Sequence, residues 1–409
     1  MRRMKVPSVS AADLLGLGRL FMDGADGVTR LVEEMHRSIL ATPGLAPLAQ
    51  ATTGGVTGLV YRGVRGAFRL TGTGLGGVST LLEGKRDDEP VSRGRAVALA
   101  ALNGIVGDHL AETGNPLALT MQLRREGRAL KLERRTLAHA LPHATGKLAV
   151  LVHGLCMGDL QWTRQNHDHG AALEHDLGYT SLYLSYNSGL HISTNGRAFA
   201  LLLEALVAEW PAEVENLTVI AHSMGGLVAR SACRIGEDAS FVWRKKLRKL
   251  IFLGTPHHGA PLERIGNWVE AMLGTTPYAA AFVRLGQVRS AGVTDLRYGN
   301  LMDEDWQGSN RFAKAPDTRR ILPLPDGVAC YAIAATTARS PGDLKDRWVG
   351  DGLVPVMSAL GRHKSASRTL KFPTDRQWIA RETGHFDLIS RRRVYNRIKG
   401  WLAEKPERG

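Results

Sequence analysis

The chain has 409 residues, 44% apolar and 22% charged, which excludes a mainly disordered protein. It has no run of about 18 uncharged apolar residues, which argues against a transmembrane helix. Its 53 basic and 39 acidic side chains leave a net charge of +14. That excess favours an anionic neighbour, a membrane leaflet or nucleic acid, without deciding between them.

The opening Met1-Arg2-Arg3-Met4-Lys5 is basic, as in a signal peptide, but Asp13 and several glycines interrupt the apolar stretch behind it. Ser10 with Asp13 reads better as a capping box for a helix from Ala11 to about Met22. The cysteines Cys156, Cys233 and Cys330 are widely spaced and odd in number, so no disulfide framework is indicated. A reducing, cytoplasmic location is expected.

Residues 1–90 form a region of their own. Ten of the 31 residues from Gly54 to Gly84 are glycine, too many for an ordinary water-exposed helix. Yet Val28, Leu31, Val32, Met35 and Ile39 share one helical face, and Val56, Leu59, Val60, Val64, Ala67 and Phe68 another. The spacing predicts a helical extension. It either packs as a hairpin or lies, with Arg62, Arg65 and Arg69, on an anionic membrane or apolar granule surface.

From Val91 the pattern changes. Val91 to Glu112 reads as a helix stopped by Asn115-Pro116. Arg125-Glu126-Gly127-Arg128 reads as a hairpin turn between Leu117–Gln122 and Ala129–Leu132. Strands are expected at Leu148–Val152, within Tyr179–Tyr186, and at Leu217–Ala221, Leu250–Leu253, Val328–Ala334 and Trp378–Ala380. Helices are expected at Gly196–Trp210, Leu227–Cys233 and Val394–Leu402. Such alternation implies a mostly parallel central sheet with helices on both faces.

The sharpest chemical signal is Ala221-His222-Ser223-Met224-Gly225-Gly226 between a strand and a helix. It fits a G-x-S-x-G nucleophile elbow, with Ala221 in the first small position and Gly225 in the second. Ser223 would stand on a strained turn, with the Met224 N–H as an oxyanion donor. Upstream, strand 148–152 runs into His153-Gly154-Leu155, where the Leu155 N–H is the second expected donor. In such sites the acid follows the serine and the histidine comes last. Asp351, in Gly350-Asp351-Gly352, and His385, in Gly384-His385-Phe386, take those places. Asp343, Asp346 and Asp387 are rival acids, and His363 is a rival base.

Four segments together carry a resemblance: His153-Gly154-Leu155, Ala221 to Gly226, Gly254-Thr255-Pro256-His257-His258-Gly259-Ala260-Pro261, and Asp351-Gly352-Leu353-Val354-Pro355. Residues from about Lys147 to Leu402 resemble α/β-hydrolase lipases and esterases, nearest the bacterial triacylglycerol lipases and the lipase-like relatives of GPI inositol-deacylases. The resemblance implies an α/β-hydrolase fold, whose domain is expected to occupy residues 91–409, and hydrolysis of carboxylic esters through an acyl-serine. That chemistry needs no metal or organic cofactor. It does not extend over the first 110 or so residues. Transfer to another alcohol, or an idle hydrolase domain on a lipid surface, stay open as alternatives.

A long insertion at about 260–324 is expected to form a helical cap or lid. His257 and His258 are read as shaping the turn at the pocket mouth. His167-Asp168-His169 lacks further ligands and is read as a solvated helix start rather than a metal site. Arg244-Lys245-Lys246 with Arg248 and Lys249, and Arg391-Arg392-Arg393, are read as solvated faces. No nucleic-acid-binding fold accompanies the charge, so an ester or lipid is the expected partner and nucleic acid is not.

Overall fold

The computed structural model describes Gly16 and residues 93–260, 290–308, 319–340 and 350–404. The N-terminal extension, apart from the helical Gly16, lies outside these residues. So do most of the expected cap and the rival acids Asp343 and Asp346. The chain forms two compact units: Met1–Ser92 with Leu110–Ala118, and Arg93–His109 with Leu119–Gly409. In the first unit, the Asn115 side-chain amide donates to the Gly16 carbonyl (3.2 Å). No helix among the described residues is long and apolar enough to cross a membrane.

Helix α1 (Arg93–Glu112) ends three residues before Asn115-Pro116, and Val106 is non-helical within it. A hairpin comes next, with β1 (Gln122–Arg125) and β2 (Arg128–Ala129) joined through Glu126 and Gly127, both at positive φ. The strands are shorter and closer to the turn than the sequence pattern implies. Helix α2 (Arg134–Ala140) leads into β3 (Lys147–Val152). Then come α3 (His169–Leu177), β4 (Thr180–Ser185), α4 (Ile192–Glu209), β5 (Asn216–His222) and α5 (Met224–Asp238). Short helix α6 (Val242–Lys246) precedes β6 (Leu247–Leu253), and α7 (Ala291–Tyr298) precedes β7 (Ala329–Ala335). Helix α8 (Val356–Ala359), β8 (Gln377–Ala380) and α9 (Arg392–Ala403) complete the described chain.

The strands form one eight-stranded sheet in the order β2-β1-β4-β3-β5-β6-β7-β8. Strands β3 to β8 run parallel, and β1 and β2 are antiparallel at one edge. Alternation along each strand sorts the core into two layers. Ala149, Leu151, Ile220, Ile251, Leu253, Tyr331 and Ile333 pack with Leu173 of α3 and Val394, Ile398 and Trp401 of α9. Their neighbours Val150, Val219, Leu250 and Phe252 face the other way and are equally buried. Helices α4, α5 and α6 pack against one another.

The basic run at 244–249 is not a uniformly solvated face. Lys249 is buried, and its ammonium donates to the carbonyls of Trp401 (2.5 Å) and Glu404 (3.0 Å). It thereby closes the C-terminal end of α9, where free carbonyls and the helix dipole favour a cation. The Arg391–Arg393 run does stay at the surface, with Arg392 and Arg393 exposed; there Arg391 pairs with Asp387 (3.0 Å), and Arg393 donates to the Thr383 hydroxyl.

Register fixes what meets at the carboxyl edge of the sheet. Val152 pairs with Ala221, Ala221 with Phe252, and Leu253 with Ile333. The chain leaves β3 towards β4 on one side and reaches β5 on the other. Strand order therefore reverses between β3 and β5, opening a crevice at their carboxyl ends. Helix α5 descends tightly there, because a Cβ at Gly225 would lie 2.4 Å from the His153 carbonyl oxygen and 2.8 Å from that of Val152. Those obstacles are backbone and cannot swing aside. Gly225→Ala should therefore destabilise the fold by about 1–3 kcal/mol, read as a lower urea midpoint. An unchanged midpoint would show that helix and strand can separate freely.

Candidate active site

Ser223 joins β5 to α5 with φ 56° and ψ −127°, a left-handed conformation that costs a non-glycine residue about 1–3 kcal/mol. The turn is held from beneath, since the Ser223 N–H donates to the Leu253 carbonyl (2.8 Å) and the Gly226 N–H to the Ser223 carbonyl (3.0 Å). The Ser223 hydroxyl is buried and has no hydrogen-bond partner among the described residues. Ala221 is fully buried, which accounts for a small residue two before the serine.

The turn after β3 lies directly against the serine. A Cβ on Gly154 would stand 2.9 Å from Ser223 Cβ and 3.3 Å from its Oγ. Glycine is needed there for close approach. Leu155 comes next and is buried, as is Met224 at the start of α5. His153 does not face the serine as a base. Its ring stacks on Tyr186 (centroids 4.2 Å, 17° apart), and its Nδ1–H donates to the Gly154 carbonyl (2.8 Å). The Tyr186 hydroxyl in turn donates to the His153 carbonyl (2.8 Å). Tyr186 and Ser188, whose Oγ accepts the Cys156 N–H (3.0 Å), thus fix the turn from the loop after β4. Neither stood out in the sequence, because their contribution is long-range. Cys156 is buried, and burial pushes its thiol up to about 12, which leaves no thiolate near neutral pH.

Asp351 and His385 come together at the far side of the same edge. His385 Nδ1–H donates to Asp351 Oδ2 at 2.6 Å, and both side chains are almost completely buried. The other carboxylate oxygen accepts the N–H groups of Leu353 (3.0 Å) and Val354 (2.7 Å). A backbone bond from the His385 N–H to the Asp351 carbonyl (3.2 Å) ties the two loops. The acid is therefore fixed at both oxygens, and it fixes the imidazole by one nitrogen.

Two contacts bring this pair to the serine turn. The His222 Nε2–H donates to the His385 carbonyl (3.2 Å), with the two rings 4.5 Å apart. A Cβ on Gly254, next to the Leu253 carbonyl that holds Ser223, would lie 3.1 Å from the His385 ring. The rival groups are placed elsewhere. Asp387 pairs with Arg391 and accepts the Gly384 N–H, and the His363 ring lies tilted 4.9 Å from that of His258 and accepts the Ser365 N–H. An imidazole held by a buried carboxylate, beside a serine on a helix N-terminus, is chemically equipped to take a hydroxyl proton and hold a developing oxyanion.

His257 and His258 do belong to a tight turn. The His257 N–H lies against the Thr255 (2.9 Å) and Ser358 (3.3 Å) carbonyls, and the His258 N–H against Ser358 Oγ (3.2 Å). Their rings, however, border a cavity formed with arginines. At 167–169 the expected solvated helix start needs correction. Asp168 caps α3, but His169 is fully buried and its Nε2–H donates to the Leu388 carbonyl (3.0 Å). The long-range contact to Leu388, invisible to local pattern, pulls the ring inward.

Residues 143–318 match the family model of the PGAP1-like alpha/beta domain. With the sheet order above, the fold is the α/β-hydrolase fold. The match includes Ser223 and the turn after β3, and ends before Asp351 and His385. Among solved structures, a Bacillus licheniformis lipase in its mature form is 18% identical, with a TM-score of 0.42 over 63% of this chain and 91% of its own. A Pyrococcus furiosus esterase is 16% identical, with a TM-score of 0.36 over 64% of this chain and 81% of its own. A Legionella pneumophila phospholipase is 18% identical, with a TM-score of 0.31 over 52% of this chain and 45% of its own. No curated protein matches the sequence.

Burial has a pH consequence. It lowers the imidazoles of His153 and His169 from 6.5 to about 4, and that of His222 well below 6.5. All three are neutral in the folded chain, whereas the unfolded chain protonates them below about pH 6.5. Between about pH 6.5 and 4 the unfolded state binds more protons, so stability present above that window falls as pH is lowered. Urea midpoints measured from pH 7 to 4 should decline steadily. Substitution of His169 by Gln should flatten part of that decline, and an unchanged slope would remove His169 from the account.

Proposed function

We propose that this protein is a serine carboxylic-ester hydrolase acting on a lipid-like or apolar ester. The observation that carries the reading is the buried Asp351–His385 pair, bonded at 2.6 Å and tied through His222 and Gly254 to a strained Ser223. In this reading neutral His385 takes the Ser223 proton as the oxygen attacks the ester carbonyl. The Met224 and Leu155 N–H groups receive the tetrahedral oxyanion. Asp351 steadies the imidazolium, which returns the proton to the leaving alcohol. Water, activated by the same imidazole, then releases the acid and frees the serine.

Several features of the site support this assignment over a structural serine. A serine at φ 56° is disfavoured and gains no hydrogen bond for its hydroxyl among the described residues. Burying an aspartate and satisfying it with two N–H groups and one imidazole also costs desolvation. Reactivity gives both a use. The apolar character of the substrate rests on the resemblance to lipases and esterases alone.

The decisive experiment is fluorophosphonate labelling of the full chain, read by peptide mass spectrometry. Labelling is expected on the peptide bearing Ser223 and is expected to vanish in Ser223→Ala. Asp351→Asn should lower kcat on short p-nitrophenyl esters by about 10³–10⁴-fold, since the imidazole would lose both its orientation and its counter-charge. No labelling of Ser223, with and without detergent, would overturn the assignment.

A further inference from the structure

The residue before the serine is a buried imidazole to which the proposed chemistry gives no task. His222 ends β5, where it pairs with Leu253 of β6. It is fully buried, so the sheet sets its position. Its ring reaches towards both halves of the site. On one side, a Cβ at Gly154 would lie 3.4 Å from His222 Nδ1. On the other, Nε2 lies 3.2 Å from the His385 carbonyl oxygen, and the two rings are 4.5 Å apart.

The contact with His385 assigns the tautomer. A carbonyl oxygen can only accept, so the ring hydrogen is on Nε2 and the lone pair is on Nδ1. Nδ1 is buried with no hydrogen-bond partner among the described residues, a cost to stability that an apolar side chain would avoid. Burial, and then the nearby His385, push the ring's pKa well below its ordinary range, so it stays neutral. The ring therefore adds no charge against the imidazolium that forms on His385 in the ester-hydrolase reading. What it supplies is a single N–H, directed at the main chain of the base.

Two further bonds of His385 run to the Asp351 loop: its N–H donates to the Asp351 carbonyl (3.2 Å), and its Nδ1–H to Asp351 Oδ2 (2.6 Å). These hold the pair together. The bond from His222 instead ties the main chain of His385 to the sheet, at the strand that leads into the serine. A change in the reach of position 222 would therefore shift the imidazole relative to Ser223 Oγ while the Asp351–His385 pair stays intact.

We infer that His222 is a positioning residue, which sets, through the His385 carbonyl, the distance and angle between the His385 imidazole and Ser223 Oγ. The inference rests on the ester-hydrolase reading and adds to it the group that holds the base in register with the nucleophile. Misplacing a reacting group by about 1 Å can cost roughly a hundredfold in rate.

The test uses the full chain with three substitutions. His222→Gln carries an amide N–H near the place of Nε2, His222→Asn carries one near that of Nδ1, and His222→Met has no donor. With p-nitrophenyl butyrate, His222→Asn and His222→Met are expected to lower kcat by about ten- to a hundredfold, with KM changed by less than about twofold. His222→Gln is expected to recover most of kcat, although its Tm differs little from that of His222→Asn. Equal kcat in the Gln and Asn variants overturns the inference, as does a kcat that follows Tm rather than the place of the donor. That pair keeps the test decisive where His222→Met does not fold. Fluorophosphonate labelling of Ser223 in the unaltered chain separates the two claims. With labelling, equal kcat in the pair removes His222 alone; without it, the ester-hydrolase reading falls and takes the inference with it.

Discussion

The close passage of α5 across the end of β3 is the constraint on which the rest of the described structure depends. Gly225 lies against the His153 and Val152 carbonyls, with no room for even a methyl group. That contact sets the angle at which the helix leaves the sheet and forces Ser223 into its left-handed turn. It also holds the turn at Gly154 against the serine side chain. The counter-forces come from the Leu253 carbonyl at the end of β6, beneath Ser223, and from Tyr186, just after β4, beneath His153. The geometry of the serine is thus a property of three strands and one helix together.

The opposite half of the site is built differently. Asp351 and His385 sit on loops, where backbone positions are less constrained than in strands. They are fixed instead by a dense set of bonds: two N–H groups on one carboxylate oxygen, the imidazole on the other, and a backbone bond between the loops. A carboxylate so held is a rigid electrostatic partner. It costs desolvation in the folded state, and the surrounding N–H groups offset part of that cost.

Much of this was legible in the sequence because it depends on local rules. Aliphatic runs at 148–152, 217–221 and 250–253 mark buried parallel strands, since such strands have no solvent face to require alternation. Small residues on both sides of Ser223 report close helix-to-strand passage. The chain order of serine, acid and histidine singled out Asp351 and His385, which the structure places 2.6 Å apart. What local pattern could not carry is long-range. His169 looks solvated beside Asp168 until Leu388 is seen to accept its proton, and Lys249 looks like one of a surface run until α9 ends on its ammonium.

The bond between His169 and Leu388 spans 219 residues, and that between Tyr395 and Ala172 spans 223. The serine turn, by contrast, rests on a bond to Leu253, 30 residues away. Closing the longer loops is entropically dearer and, on kinetic grounds, later. A folding chain can therefore reach a stage at which β3, β5 and β6 already shape the serine turn while α9 and the His385 loop are undocked. In that stage Ser223 stands without the His385 imidazole, so on the proposed ester-hydrolase reading the partly folded chain would be inactive.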